Sequence, residues 1–88
     1  MKAIVTVIGK DKKGIIAAVS AEVLKLGANI EDISQTLMQE YFVMMMMIDV
    51  SNSGDIAAMG KKLSALGEKI GVDIRIQHED IFNSMHRI

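Results

Sequence analysis

Two stretches of this chain carry an apolar residue every three or four positions, and each stretch closes on a glycine. In the first, Ile16, Val19, Val23 and Leu26 fall on one side of a helix drawn from Ile15 to Leu26, and Gly27 follows. In the second, Ile56, Met59, Leu63, Leu66 and Ile70 do the same from Ser53 to Ile70, and Gly71 follows. Glycine just past a helix suits the left-handed backbone that ends it. Asp11 and Ser53 are placed to cap the two starts. Between and around the helices lie runs of a different period. Lys2–Ile8 is short, β-branched and nearly apolar throughout, which predicts a central strand buried on both sides. Ala28–Gln39 and Tyr41–Ser51 read as two strands joined by a turn near Gln39–Tyr41. Ile30 is out of phase with Ile33, so a bulge is expected near Glu31–Asp32. In Val72–Asp80, Val72, Ile74 and Ile76 alternate with Asp73, Arg75 and Gln77.

The order β-α-β-β-α-β belongs to the α+β class and specifies a ferredoxin-like, four-stranded antiparallel sheet. Right-handed crossovers place both helices on one face, with the first and third strands central. The 88 residues allow one domain, residues 1–80, followed by a tail 81–88. The tail repeats apolar residues at 81, 82, 85 and 88, and Asp80 is placed to cap a short docking helix there. Eight residues make an unstable helix alone, so this one needs something to pack on.

The third strand makes the strongest demand. Phe42, Met44, Met46, Ile48 and Val50 point one way, and Tyr41, Val43, Met45 and Met47 point the other. Both sides are apolar and only one meets the helices. An open apolar face usually marks an interface, so a homo-oligomer is expected, most simply a two-fold dimer.

Charge and composition exclude several functions. Ten basic against eleven acidic residues leave a net charge of −1, with no positive field for nucleic acid or an anionic membrane. An RNA-binding sheet needs aromatics on its central strands; the first has none, and Tyr41 and Phe42 are adjacent and face opposite ways. The apolar start Met1–Ile8 is too short for a signal-peptide core or a membrane span. The absence of cysteine removes disulfides and thiolate metal sites and fits the cytoplasm. His78, Glu79, Asp80 and His86 match no zinc spacing and read as a solvated strand end, with His78 and Asp80 on one face. The run Met44–Met47 alternates faces, so it reads as core and interface filler rather than a copper site. No nucleophile has an evident base, and no cofactor is implied. Acylphosphatases share the topology but need an arginine in the first loop, and Arg75 and Arg87 lie far from it. The chain is therefore expected to be no enzyme.

One loop remains as a ligand site. Gly9–Gly14 (GKDKKG) opens the first helix, whose N-terminal amides and dipole favour a carboxylate or phosphate. It lacks the spacing and the Lys-Ser or Lys-Thr pair of a Walker loop. A capped turn with solvated lysines is the plainer alternative.

The stretch Gly9-Lys-Asp11-Lys-Lys-Gly14-Ile15-Ile16, then a helix closing on Leu26-Gly27-Ala28-Asn29-Ile30, resembles the ACT domain. The whole sequence, with its ending His78 to Ile88, is similar to the small stand-alone UPF0237-type ACT proteins of bacteria and archaea. The resemblance implies a regulatory module, commonly dimeric, that binds an amino acid at a domain interface and signals to a protein partner. It assigns ligand contact to Asp11, to the backbone of Gly14 and Ile15, and to Asn29 with its neighbour Ile30. Asn29 offers both a donor and an acceptor, as a zwitterion requires. Lys12 and Lys13 stand where other members have Arg-Pro. A ligand-free interaction and oligomerisation module is the alternative function.

Overall fold

The structure is a computed structural model and describes residues 2–10, 14–51 and 55–80. The elements follow in the order β1 (Lys2–Gly9), α1 (Ile15–Lys25), β2 (Asn29–Met38), β3 (Tyr41–Asp49), α2 (Ile56–Ile70) and β4 (Asp73–His78). The sheet order is β2-β3-β1-β4, antiparallel at every pairing, so β1 and β3 are central as the crossovers require. The expected bulge is a register shift between Ile30 and Asp32 against β3. The β2–β3 turn places Gln39 at φ 57, a left-handed conformation.

The core lies between the sheet and the helices. Ala3, Val5 and Val7 of β1 and Met44, Met46 and Ile48 of β3 are fully buried there against Val19, Val23 and Leu63. Ile15, Val19 and Val23 carry the buried face of α1, and Met59, Leu63 and Gly67 that of α2. Close approach needs glycine at position 67, where a Cβ would lie 2.6 Å from the Val72 carbonyl oxygen. Gly71 and Gly27 end the helices at positive φ, as expected. At Gly27 the chain also closes a six-residue loop, the Ala28 N–H donating to the Val23 carbonyl at 3.3 Å.

Four expectations are corrected. β1 is central but buried on one side only: Lys2, Ile4 and Thr6 are half-buried and Ile8 is 42% exposed, because both helices lie on the other face. The residue capping α1 is Gly14, at φ 78 and with no side-chain cap bond, rather than Asp11, which lies outside the described residues. α2 starts at Ile56, and its cap is Asp55, whose carboxylate accepts the Ala57 N–H at 2.9 Å. Ser53 lies outside the described residues. β4 stops at His78, and the backbone turns helical at Glu79, so His78 and Asp80 do not share a strand face. His78 Nδ1 accepts the Asp80 N–H at 3.1 Å, and the helix that Asp80 is expected to cap lies outside the described residues. The tail 81–88, with His86, lies outside the described residues.

The open face divides as the alternation of β3 predicts. Met45 pairs with Thr6 and Ser34, Met47 with Ile4 and Asp32, and Val43 with Ile8 and Thr36. Asp73, Arg75 and Gln77 of β4 complete the same rows. An apolar stripe of Ile4, Ile8, Val43, Met45 and Met47 therefore runs down the two central strands, between polar margins.

Candidate functional site

The expected site residues lie at two different ends of the molecule. Gly14 follows β1, whose last residue Gly9 pairs with Phe42 at the start of β3. Ile15 is buried and packs beside Gly9. Lys10 sits over the Tyr41 ring, its Nζ 5.8 Å from the ring centroid, which ties the loop to the β2–β3 turn. Asn29 starts β2 and pairs with Asp49 at the far end of β3. Asp49 lies seven residue steps beyond Phe42 along β3, about 23 Å at an extended rise. The 11-residue α1 spans the same gap on the helix side, about 16 Å long.

At the first end, Gly14 brings no side chain to the amides of the first helical turn. Its added Cβ would meet nothing within 4 Å, so the backbone there is open to approach. Asp11 belongs to this end by sequence but lies outside the described residues. At the second end, Asn29 is exposed and Ile30 half-buried. Lys2 meets Glu31 at 2.7 Å. The Glu31 carboxylate, by hydrogen bond and charge, raises the Lys2 pKa above its ordinary value. Asp49 accepts from the Ser51 hydroxyl at 2.6 Å and from the Ser51 N–H at 2.9 Å, which lowers its pKa. Both ions are thus held charged beside Asn29.

One chain brings neither Gly14 nor Ile15 to Asn29. The separation is topological: a β-α-β crossover puts the start of its helix and the start of its second strand at opposite ends of the sheet. Sequence spacing carries no such signal. Nor does it reveal the Lys10–Tyr41 or Lys2–Glu31 contacts, since each joins residues far apart in the chain.

A groove of about 460 Å³ lies between the helices, floored by Leu26, Ala65 and Leu66 and edged by Lys25, Lys62 and Lys69. It shares no residue with either end. Among the described residues no group of three or more His, Asp or Glu side chains is placed to hold a metal ion, and no helix is long and apolar enough to cross a membrane.

The ACT domain family profile matches residues 2–77. The chain belongs to the ACT domain family. A UPF0237 protein of Clostridium acetobutylicum is 55% identical over 91 residues, covering all of both chains. A UPF0237 protein of Methanocaldococcus jannaschii is 48% identical over 88 residues, covering 99% of this chain and 98% of its own. Among solved structures, an ACT domain protein from Streptococcus pneumoniae superposes with a TM-score of 0.86 at 46% identity, covering 93% of each chain. The regulatory subunit of aspartate kinase from Thermus thermophilus shares the fold, with a TM-score of 0.66 at 19% identity over 86% of this chain and half of its own. The ACT domain is a regulatory, small-ligand-binding fold, and the α+β architecture described above is its architecture.

Proposed function

We propose that this ACT domain is a cytoplasmic regulatory module, not an enzyme. It binds an amino acid or similar small metabolite between two copies of itself and passes that state to a protein partner. The observation that carries the reading is the placement of Gly14 and Asn29 at opposite ends of α1. β2 is an edge strand of ten residues, almost wholly exposed. Two-fold antiparallel pairing of two such edges carries the Asn29 end of each copy to the Met38 end of the other. That is the end at which Leu37 pairs with Phe42 and Lys10 meets Tyr41, beside Gly14. Each composite site then joins the bare helix start and Ile15 of one copy, with Asp11, to Asn29 and Ile30 of the other. The amides at Gly14 and Ile15 suit the carboxylate of an amino acid, and the Asn29 amide suits either of its charged groups.

A thermal-shift panel of the common amino acids tests this. At least one is expected to raise the melting temperature in proportion to the logarithm of its concentration. Asn29→Ala is expected to abolish that shift while leaving the ligand-free melting temperature nearly unchanged, since Asn29 is exposed. A panel that moves nothing at saturating concentration overturns the ligand. The apolar stripe of the open face favours the second reading, a ligand-free interaction module, in which melting shifts only with a partner protein present.

A further inference from the structure

Leu26 at the end of α1 and Leu66 on α2 pack against the core and stay half-buried. With the exposed Ala65 they floor the groove of about 460 Å³ between the two helices. Ala65 brings only a methyl group to that floor, so a side chain from outside can come close to α2. The rim is basic. Lys25 stands on α1, Lys62 and Lys69 stand on α2, and all three are exposed. Lys62 and Lys69 are seven residues apart, about two helical turns or 10 Å. Among the described residues Glu22 is the one carboxylate that lines the groove, and Glu68, next to Lys69 in sequence, does not line it. None of the three lysines forms an ion pair among the described residues. Lys25 and Lys69 lie in the last turns of their helices, where they complement the dipole. Lys62 lies mid-helix, where the dipole gives it no such role.

We propose that this groove is the docking site for an acidic amphipathic helix of a protein partner. A furrow between two packed helices accepts the ridge of a third. Apolar side chains at spacings of three and four would settle on Leu26, Ala65 and Leu66, and flanking Asp or Glu side chains would meet the lysines. Charge makes the choice of occupant. Three lysines against one glutamate give the groove an excess of positive charge on a chain whose net charge is −1. An acidic segment is therefore drawn here and repelled by the rest of the surface. A small molecule needs most of its own surface enclosed. Here the rim lysines and Ala65 are all exposed, which suits a long segment lying along the groove. The groove shares no residue with Gly14 or Asn29, so this inference and the ligand reading stand or fall separately.

The intact protein tests this by selection from a phage-displayed library of random peptides of about 15 residues, four helical turns. Enriched peptides are expected to combine Asp or Glu with Leu, Ile, Phe or Met at helical spacing. In NMR spectra they are expected to shift the amide resonances of Leu26, Ala65 and Leu66. Enrichment of no such peptide, or shifts confined to the sheet, overturns the proposal. Lys25→Gln, Lys62→Gln and Lys69→Gln combined are expected to weaken an enriched peptide about tenfold, as three exposed ion pairs are lost. Unchanged affinity counts against the groove. Ala65→Arg separates docking from diffuse attraction, because it adds positive charge while filling the floor. It is expected to weaken binding, and tighter binding would show that charge alone attracts the peptide. Two further arms cover other occupants. The parent is expected to stay in solution when phosphatidylserine vesicles are sedimented, and the triple variant is expected to keep the parent's mass in analytical ultracentrifugation. Vesicle binding that the triple variant loses would make the occupant a membrane, and a changed mass would make it a second copy. Either result overturns the proposal.

Discussion

A methyl group added at Gly67 and one added at Gly14 meet different obstacles. Gly67 lies inside α2 with ordinary helical backbone, where alanine is intrinsically better than glycine by about 1 kcal/mol. Its Cβ, however, would stand 2.6 Å from the Val72 carbonyl oxygen and 3.3 Å from Ile74 Cγ1. A backbone atom cannot swing aside as a side-chain tip can, so α2 and β4 must move apart. Overpacking of this kind costs about 1–3 kcal/mol, and Gly67→Ala is expected to destabilise by about 1–2 kcal/mol net. At Gly14 the space is open, but φ is 78. Gly14→Ala there loses about 1 kcal/mol through backbone strain alone. Urea unfolding separates the two causes. Gly14→Asn is expected to recover most of the loss, because asparagine tolerates left-handed backbone. Gly67→Ser is expected to recover nothing. A neutral Gly67→Ala would mean that the close approach of α2 to β4 is not needed.

The elements show how far pattern carries and where it stops. Both helical stripes, both glycine stops, the bulge at Ile30/Asp32 and the two-faced alternation of β3 were legible, because each is a local rule with one solution. The start of α2 was not. Ser53 and Asp55 are both good capping types and stand two residues apart, so composition does not choose between them. The stripe decides: Ile56 is its first apolar member, and Asp55 immediately precedes it. The cover of β1 was also illegible. A strand that is apolar in both phases looks the same whether one face or two are covered, and only the placement of the helices tells them apart. At the site, the Gly14 and Asn29 positions were readable as motif members, but their separation by the length of α1 was not. Asp55→Ala is the element-scale test. The Ala57 N–H loses its acceptor, and the loss is expected to be about 1 kcal/mol in chemical denaturation. Asp55→Asn, which keeps a side-chain oxygen, is expected to stay within a few tenths of the parent. An unchanged Asp55→Ala would show that the helix starts elsewhere in solution.

At the scale of the whole molecule, a site divided between two copies links ligand binding to assembly. If the loop end of one copy and Asn29 of another make a single site, the ligand binds the dimer and hardly binds the monomer. Thermodynamic reciprocity then applies: the factor by which ligand tightens the dimer equals the factor by which dimerisation tightens the ligand. The amino acid that raises the melting temperature is therefore expected to shift sedimentation toward the dimer. Its apparent affinity is expected to weaken as the protein is diluted below the dimer dissociation constant. Leu63→Ala is the control. Leu63 is fully buried beneath the sheet, away from both ends, and its truncation is expected to cost about 2–5 kcal/mol without breaking the link. Asn29→Ala is expected to do the reverse, with stability kept and the link lost. A ligand that binds equally well at every protein concentration would place the whole site within one chain. The 16 Å of α1 between Gly14 and Asn29 would then require the ligand to contact one end only.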